Sequence, residues 1–290
     1  MFNKATPKIV DQRIFAAGVA TLALLLSACS AGSSAAVSVE SMAPPAAHVH
    51  GISVEAMSGR VLLATHEGLY DVTRKPAVKI GPTIDLMGFT PTSDPKVFYA
   101  SGHPGTGSAL SNPVGLIKSI DGGVSWQPVS RQGESDFHAL TYSRGGLIGF
   151  DGALRTSTDG KKWSTTTTSF APAVLAASPG SPDVLATTEQ GVQRSPDGGK
   201  TWQLNAAAPV IQFAAFATAA EVAGVSPAGA VYTSSDAGRT WTATGQVPGQ
   251  VEAIAAIEGS PGKPWIWAAT DTGVQVSTDG GATFHPAIAS

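Results

Sequence analysis

Ser119-Ile120-Asp121-Gly122-Gly123-Val124-Ser125-Trp126 is a short stretch that returns four more times along the chain. Near-copies are Ser195-Pro196-Asp197-Gly198-Gly199-Lys200-Thr201-Trp202, Ser235-Asp236-Ala237-Gly238-Arg239-Thr240-Trp241 and Ser277-Thr278-Asp279-Gly280-Gly281-Ala282-Thr283-Phe284. A shortened copy is Ser157-Thr158-Asp159-Gly160-Lys161-Lys162-Trp163. An Asp carboxylate accepts backbone N–H groups inside a tight turn, glycine tolerates positive φ, and the aromatic side chain anchors the strand that follows. Asp121, Asp159, Asp197, Asp236 and Asp279 therefore read as structural turn residues rather than catalytic acids. They are 38, 38, 39 and 43 residues apart. That period marks supersecondary units that bury their apolar faces only against one another.

Each unit divides into four short strands, with the aspartate turn joining the third to the fourth. In the fourth unit the strands read Val174–Ala177, Asp183–Thr187, Gly191–Arg194 and Thr201–Leu204, which leaves no room for a helix. An earlier unit without the turn runs from His48 through Val61–Thr65 and Gly68–Asp71 to Ala77–Ile80. The total is six units. The expectation is an all-β, six-bladed β-propeller over residues 47–290, with seven blades as the alternative.

The rest of the composition agrees with a large core and many turns. Of 290 residues, 42% are hydrophobic and 13% charged, with 33 Gly and 20 Pro. A net charge of −3 without a basic run in the body of the chain argues against a nucleic-acid partner. Residues 1–28 read as a lipoprotein signal peptide. Lys4, Lys8 and Arg13 precede the apolar run Ile14–Leu26, which is too short to span a bilayer comfortably. Leu26-Ser27-Ala28-Cys29 resembles the bacterial lipobox, which implies cleavage before Cys29 and a lipid on its thiol. Residues 29–46, rich in Ala, Ser and Pro, read as a flexible tether. The expected location is the outer side of the bacterial cytoplasmic membrane or the cell envelope, with the membrane as a partner through that lipid.

Five of the six histidines fall at recurring positions of the unit. His48, His50 and His138 begin innermost strands, and His66 and His103 follow second strands. Both positions belong to the end of the propeller opposite the aspartate turns. Aligned innermost strands place His50, Met87, His138 and Glu252 in one slot, and His48, Asp85, Asp136 and Gln250 in another one level higher. His66 aligns with Glu189 and Asp271 on the rim. Imidazole with thioether and carboxylate suits copper, and imidazole with carboxylate also suits zinc. The metal or ligand candidates are thus His50 and His138 first, then His48, His66 and His103, with Met87 as a soft auxiliary donor. A small-molecule or glycan pocket without metal, and a merely polar channel lining, are the alternatives.

The turn pattern resembles the Asp-box, or BNR repeat, of sialidases, sortilin-type receptors and photosystem-assembly propellers. With His48-Val49-His50-Gly51, Thr65-His66-Glu67-Gly68, Asp85-Leu86-Met87-Gly88-Phe89 and Asp136-Phe137-His138, the chain is similar to bacterial exported BNR-repeat proteins labelled glycosylhydrolase or exo-sialidase. That resemblance implies the propeller fold and no catalytic residue. Sialidase chemistry needs an arginine triad, and only Arg131 of the arginines beyond the signal segment is placed to reach the mouth. A different glycoside hydrolase could draw two carboxylates across the mouth from Asp85, Asp136, Glu252, Glu134, Glu189 and Asp271, the first three being the catalytic candidates. The third reading, a protein-binding assembly factor, would use blade edges or the mouth.

Overall fold

The computed structural model describes residues 48–287. The signal peptide, Cys29 and the tether lie outside the described residues. The described chain is all β: twenty-four strands in six four-stranded sheets, each an antiparallel meander of consecutive strands. The innermost strands are β1 (Val49–Val54), β5 (Ile84–Pro91), β9 (Ala139–Ser143), β13 (Val174–Ala177), β17 (Phe213–Phe216) and β21 (Val251–Ser260). They touch in that order around a central channel, and β21 returns to β1. The protein is a six-bladed β-propeller. Every described blade takes its four strands from one continuous segment, so the ring closes by packing.

Blade four shows how closely the repeat predicts the strands. Its second, third and fourth strands are β14 (Val184–Thr188), β15 (Gly191–Ser195) and β16 (Gln203–Leu204), within two residues of expectation. The core lies between the blades as six apolar clusters, one at each interface. Leu62, Leu69, Ile84 and Phe98 join blades one and two. Val49, Tyr70, Ala253 and Trp267 join the last blade to the first. Burial of these interfaces, worth roughly 25 cal/mol per Å² of apolar surface, holds the ring shut.

The aspartate turns work as the residue types require. Asp197 Oδ1 accepts the N–H groups of Lys200 and Thr201 at 3.1 and 2.9 Å, and Oδ2 accepts the Thr201 hydroxyl at 2.6 Å. The buried Ser195 hydroxyl donates to Asp197 and accepts the Gly199 N–H, both at 2.8 Å. The closing aromatics pack into the clusters: Trp126, Trp163, Trp202, Trp241 and Phe284 each contact the interface with the preceding blade. In blade five the serine in this role is Ser234, one residue before the Ser235 of the aligned motif, because Ser234 Oγ bonds both Asp236 and the Gly238 N–H. Ala237 there adopts φ 58°, a left-handed conformation filled by glycine at Gly122, Gly198 and Gly280.

Candidate functional site

The antiparallel meander puts every third-to-fourth turn at one end of the ring and the approach to every innermost strand at the other. At that second end the innermost strands of blades one, two and six carry an irregularity in their pairing. In blade one Val49 pairs with Thr65 and Gly51 with Ala64, leaving His50 as the extra residue. Glu252 is extra in the same way in blade six, and Leu86 and Met87 span the shift in blade two. In blade three the His138 N–H donates to the Phe150 carbonyl, the residue that Ala139 also faces. Ala173 and Gln212 repeat this against Thr187 and Val225 in blades four and five. Such bulges break the pleat and redirect a side chain. Here the register shifts of blades one, two and six fall at one slot.

The slot opens into a central cavity of about 350 Å³, whose wall includes His50, Met87, His138 and Glu252. These are the four side chains aligned from sequence. Deeper in, alanines such as Ala177, Ala215 and Ala255 line the channel. One side of the mouth, from blade six through blade three, therefore carries Glu252, His50, the Met87 thioether and His138 at this slot, whereas blades four and five supply Ala173 and Gln212.

Two clusters occupy the ionisable arc. In the first, His50 Nε2 lies 3.2 Å from His66 Nδ1 and 3.7 Å from Asp85 Oδ1, and His66 Nδ1 lies 2.9 Å from Asp85 Oδ1. One ligand atom from each of these three residues falls within 4.8 Å of the others. The His50 and His66 rings meet edge to face at 4.3 Å, and His48 lies 5.0 Å from His50. His48 Nδ1 in turn approaches Glu252 Oε1 at 3.5 Å, while Glu252 Oε2 accepts the Val49 N–H at 3.1 Å. In the second cluster, His103 and His138 both face Asp136. Asp85 pairs with His103 between β5 and β6 (Phe98–Pro104), so the two clusters adjoin.

His50 and His138, the first candidates from sequence, fall in different clusters. His50 is joined to His66 and Asp85, and His138 belongs with Asp136 and His103. The His50 side chain is 10% exposed and that of His138 60%. Burial lowers the His50 pKa to about 4; neighbouring His66 and His48 push the same way, and Asp85 opposes them. His50 is thus a neutral imidazole at ordinary pH, with a lone pair to offer. His103 is held above its usual value, chiefly by the hydrogen bond to Asn112, with Asp136 and Asp85 adding to it against burial. Asn112 was not among the residues singled out from sequence. Its signal was faint: a lone amide before Pro113 in the loop after β6.

The carboxylates considered for catalysis, Asp85, Asp136 and Glu252, are each paired with an imidazole. Arg131 does not line the central cavity; it binds Ser135, Asp151 and Glu134. Arg60, Arg155 and Arg194 are likewise paired, with Asp71, Asp151 and Asp183. The described mouth holds no arginine triad.

No protein-family model and no curated protein matches the sequence. Solved structures do resemble the fold. A GH74 xyloglucanase from Xanthomonas campestris matches with a TM-score of 0.58 at 15% identity, covering 83% of this chain and 38% of that one. A GH74 enzyme from Niastella koreensis matches at 0.52 and 17%, with the same coverages. The structure of U3-55K matches at 0.51 and 11%, over 79% of this chain and 77% of that one. This chain therefore spans little more than a third of either GH74 enzyme. At such identities the likeness is one of fold.

Proposed function

We propose that this protein is an exported propeller, anchored to the membrane through lipid on Cys29, that binds a transition metal ion at its mouth through His50 Nε2, His66 Nδ1 and Asp85 Oδ1. The mutual spacing of these three atoms, all within 4.8 Å, carries the reading. Two imidazole nitrogens and a carboxylate oxygen form a donor set for zinc or copper, and three protein donors leave a position for water or a small ligand. His50 also lines the central cavity, so a ligand in the channel would meet the ion. Met87 offers a thioether from the same wall. His48 and Glu252 flank the cluster.

The glycoside-hydrolase alternative rests on fold likeness, and three of its carboxylates, Asp85, Asp136 and Glu252, are paired with histidines. A protein-binding role also draws only on the fold. The deciding experiment is titration of the purified full chain with Zn²⁺ and Cu²⁺, followed by calorimetry and by the unfolding temperature. Binding that disappears in His50→Ala with His66→Ala supports the reading. An unfolding temperature indifferent to both ions, with no heat of binding, overturns it.

A further inference from the structure

The second cluster has a geometry that the first site does not explain. His103 and His138 aim Nε2 at the same atom, Asp136 Oδ2, at 3.1 and 3.4 Å. In both rings the other nitrogen faces an oxygen. His103 Nδ1 is 2.7 Å from Asn112 Oδ1, and His138 Nδ1 is 3.3 Å from the Asp136 carbonyl oxygen. An imidazole that donates its Nδ1–H to an oxygen keeps a lone pair on Nε2. Two such lone pairs directed at one carboxylate oxygen repel it unless a proton on each ring or a metal ion lies among them. An oxygen acceptor behind each ring is also how proteins fix the tautomer and aim of metal-ligating histidines.

Asp136 supplies a separate sign. Its Oδ1 is the one buried side-chain polar atom without a hydrogen-bond partner among the described residues. A carboxylate oxygen shielded from water and left unpaired is costly and calls for a positive partner.

We infer that His103, Asp136 and His138 form a second cation site of the zinc or copper class, beside the His50, His66 and Asp85 group and built from other residues. The donors of this second group do not all lie within 4.8 Å of one another as those of the first do, so an ion held by His103 and the carboxylate needs the His138 ring, which is more than half exposed, to close on it. Asn112 is a positioning residue that sets the orientation of His103.

Equilibrium dialysis of the purified full chain against Zn²⁺ at neutral pH, followed by metal analysis, tests this. Two zinc ions per chain are expected, falling to one in His103→Ala with His138→Ala and to one in His50→Ala with His66→Ala. A single zinc that survives loss of His103 and His138 overturns the second site and leaves the first. A single zinc that survives loss of His50 and His66 keeps the second and overturns the first, and no zinc at all overturns both. Nitrogen chemical shifts of the wild-type histidines give a reading independent of how the variants fold. Ligation moves Nε2 of His103 and His138 on zinc addition, whereas a proton alone bridging Asp136 leaves them unmoved by zinc and overturns the proposal.

Discussion

His66 Nδ1 lies 2.9 Å from Asp85 Oδ1, which ties the loop after the second strand of blade one to the innermost strand of blade two. The contact crosses a blade interface, so the proposed metal site depends on ring closure. Asp85→Asn keeps the shape and removes the charge. Its zinc affinity should fall by about 100-fold or more, at or beyond the 10–100-fold typical of outer partners of a metal ligand. Competition with a chelator of known affinity measures the loss.

Bound metal should stabilise the fold. At a free zinc concentration of about 100 times Kd the gain is about 2.7 kcal/mol, or about 5–10 °C in Tm for a domain of this size. Removal of the ion by a chelator should reverse the shift. In His50→Ala with His66→Ala the first site's share of the gain should vanish, as followed by calorimetric scanning.

Ser195→Ala tests a turn at the other end of the ring. Ser195 is fully buried, and its hydroxyl is the acceptor for the Gly199 N–H. Truncation leaves that donor unsatisfied and should cost about 1–3 kcal/mol in a denaturant titration. Zinc stoichiometry should stay at the wild-type value, because the turn and the mouth lie at opposite ends of the blade.

Gly88 follows Met87 at the irregularity of blade two, and a Cβ there would come within 2.1 Å of the Phe137 carbonyl oxygen in blade three. Gly88→Ala must push the two blades apart next to Asp136 and His138. A loss of about 1–3 kcal/mol or more is expected, together with altered resonances for both histidines. Unchanged stability would show that the blades are not packed this closely.

The turn aspartates set the acid limit of the fold. Hydrogen bonds from the Ser125 hydroxyl and N–H hold Asp121 down to about 2. Burial pushes Asp236 up, but bonds from Thr240, Ser234 and Arg239 outweigh it and bring it to about 2. A carboxyl depressed in the folded state contributes stability above its unfolded value of 3.8 and loses it as pH falls through the folded value. Unfolding temperature should therefore drop between about pH 4 and 2, more shallowly in Asp121→Asn. The mouth histidines act above that window and oppose each other. His50, lowered from 6.5 to about 4, loses stability as pH falls through that range, whereas the raised His103 contributes it there.

Much of the fold was legible because each turn is a local device. Asp197 binds groups three and four residues ahead of it, so the chemistry that makes the corner is written in one short run. The alignment of His50, Met87, His138 and Glu252 was legible for the same reason, since equal positions in equal units meet the same cavity. The misplaced serine of blade five shows the limit, because Ser234 and Ser235 are equivalent as letters and only one reaches the Gly238 N–H.

The sequence by itself determined the repeat, the strands, the two ends of each blade and which residues reach the mouth, all of which follow from interactions within one unit. Only the tertiary structure decided who meets whom there. His66 finds Asp85, and His103 shares Asp136 with His138, across boundaries between neighbouring blades. Those pairings are set by the angle at which apolar interfaces close the ring and by the bulges that turn each side chain out of its pleat, and neither has a local spelling in the chain.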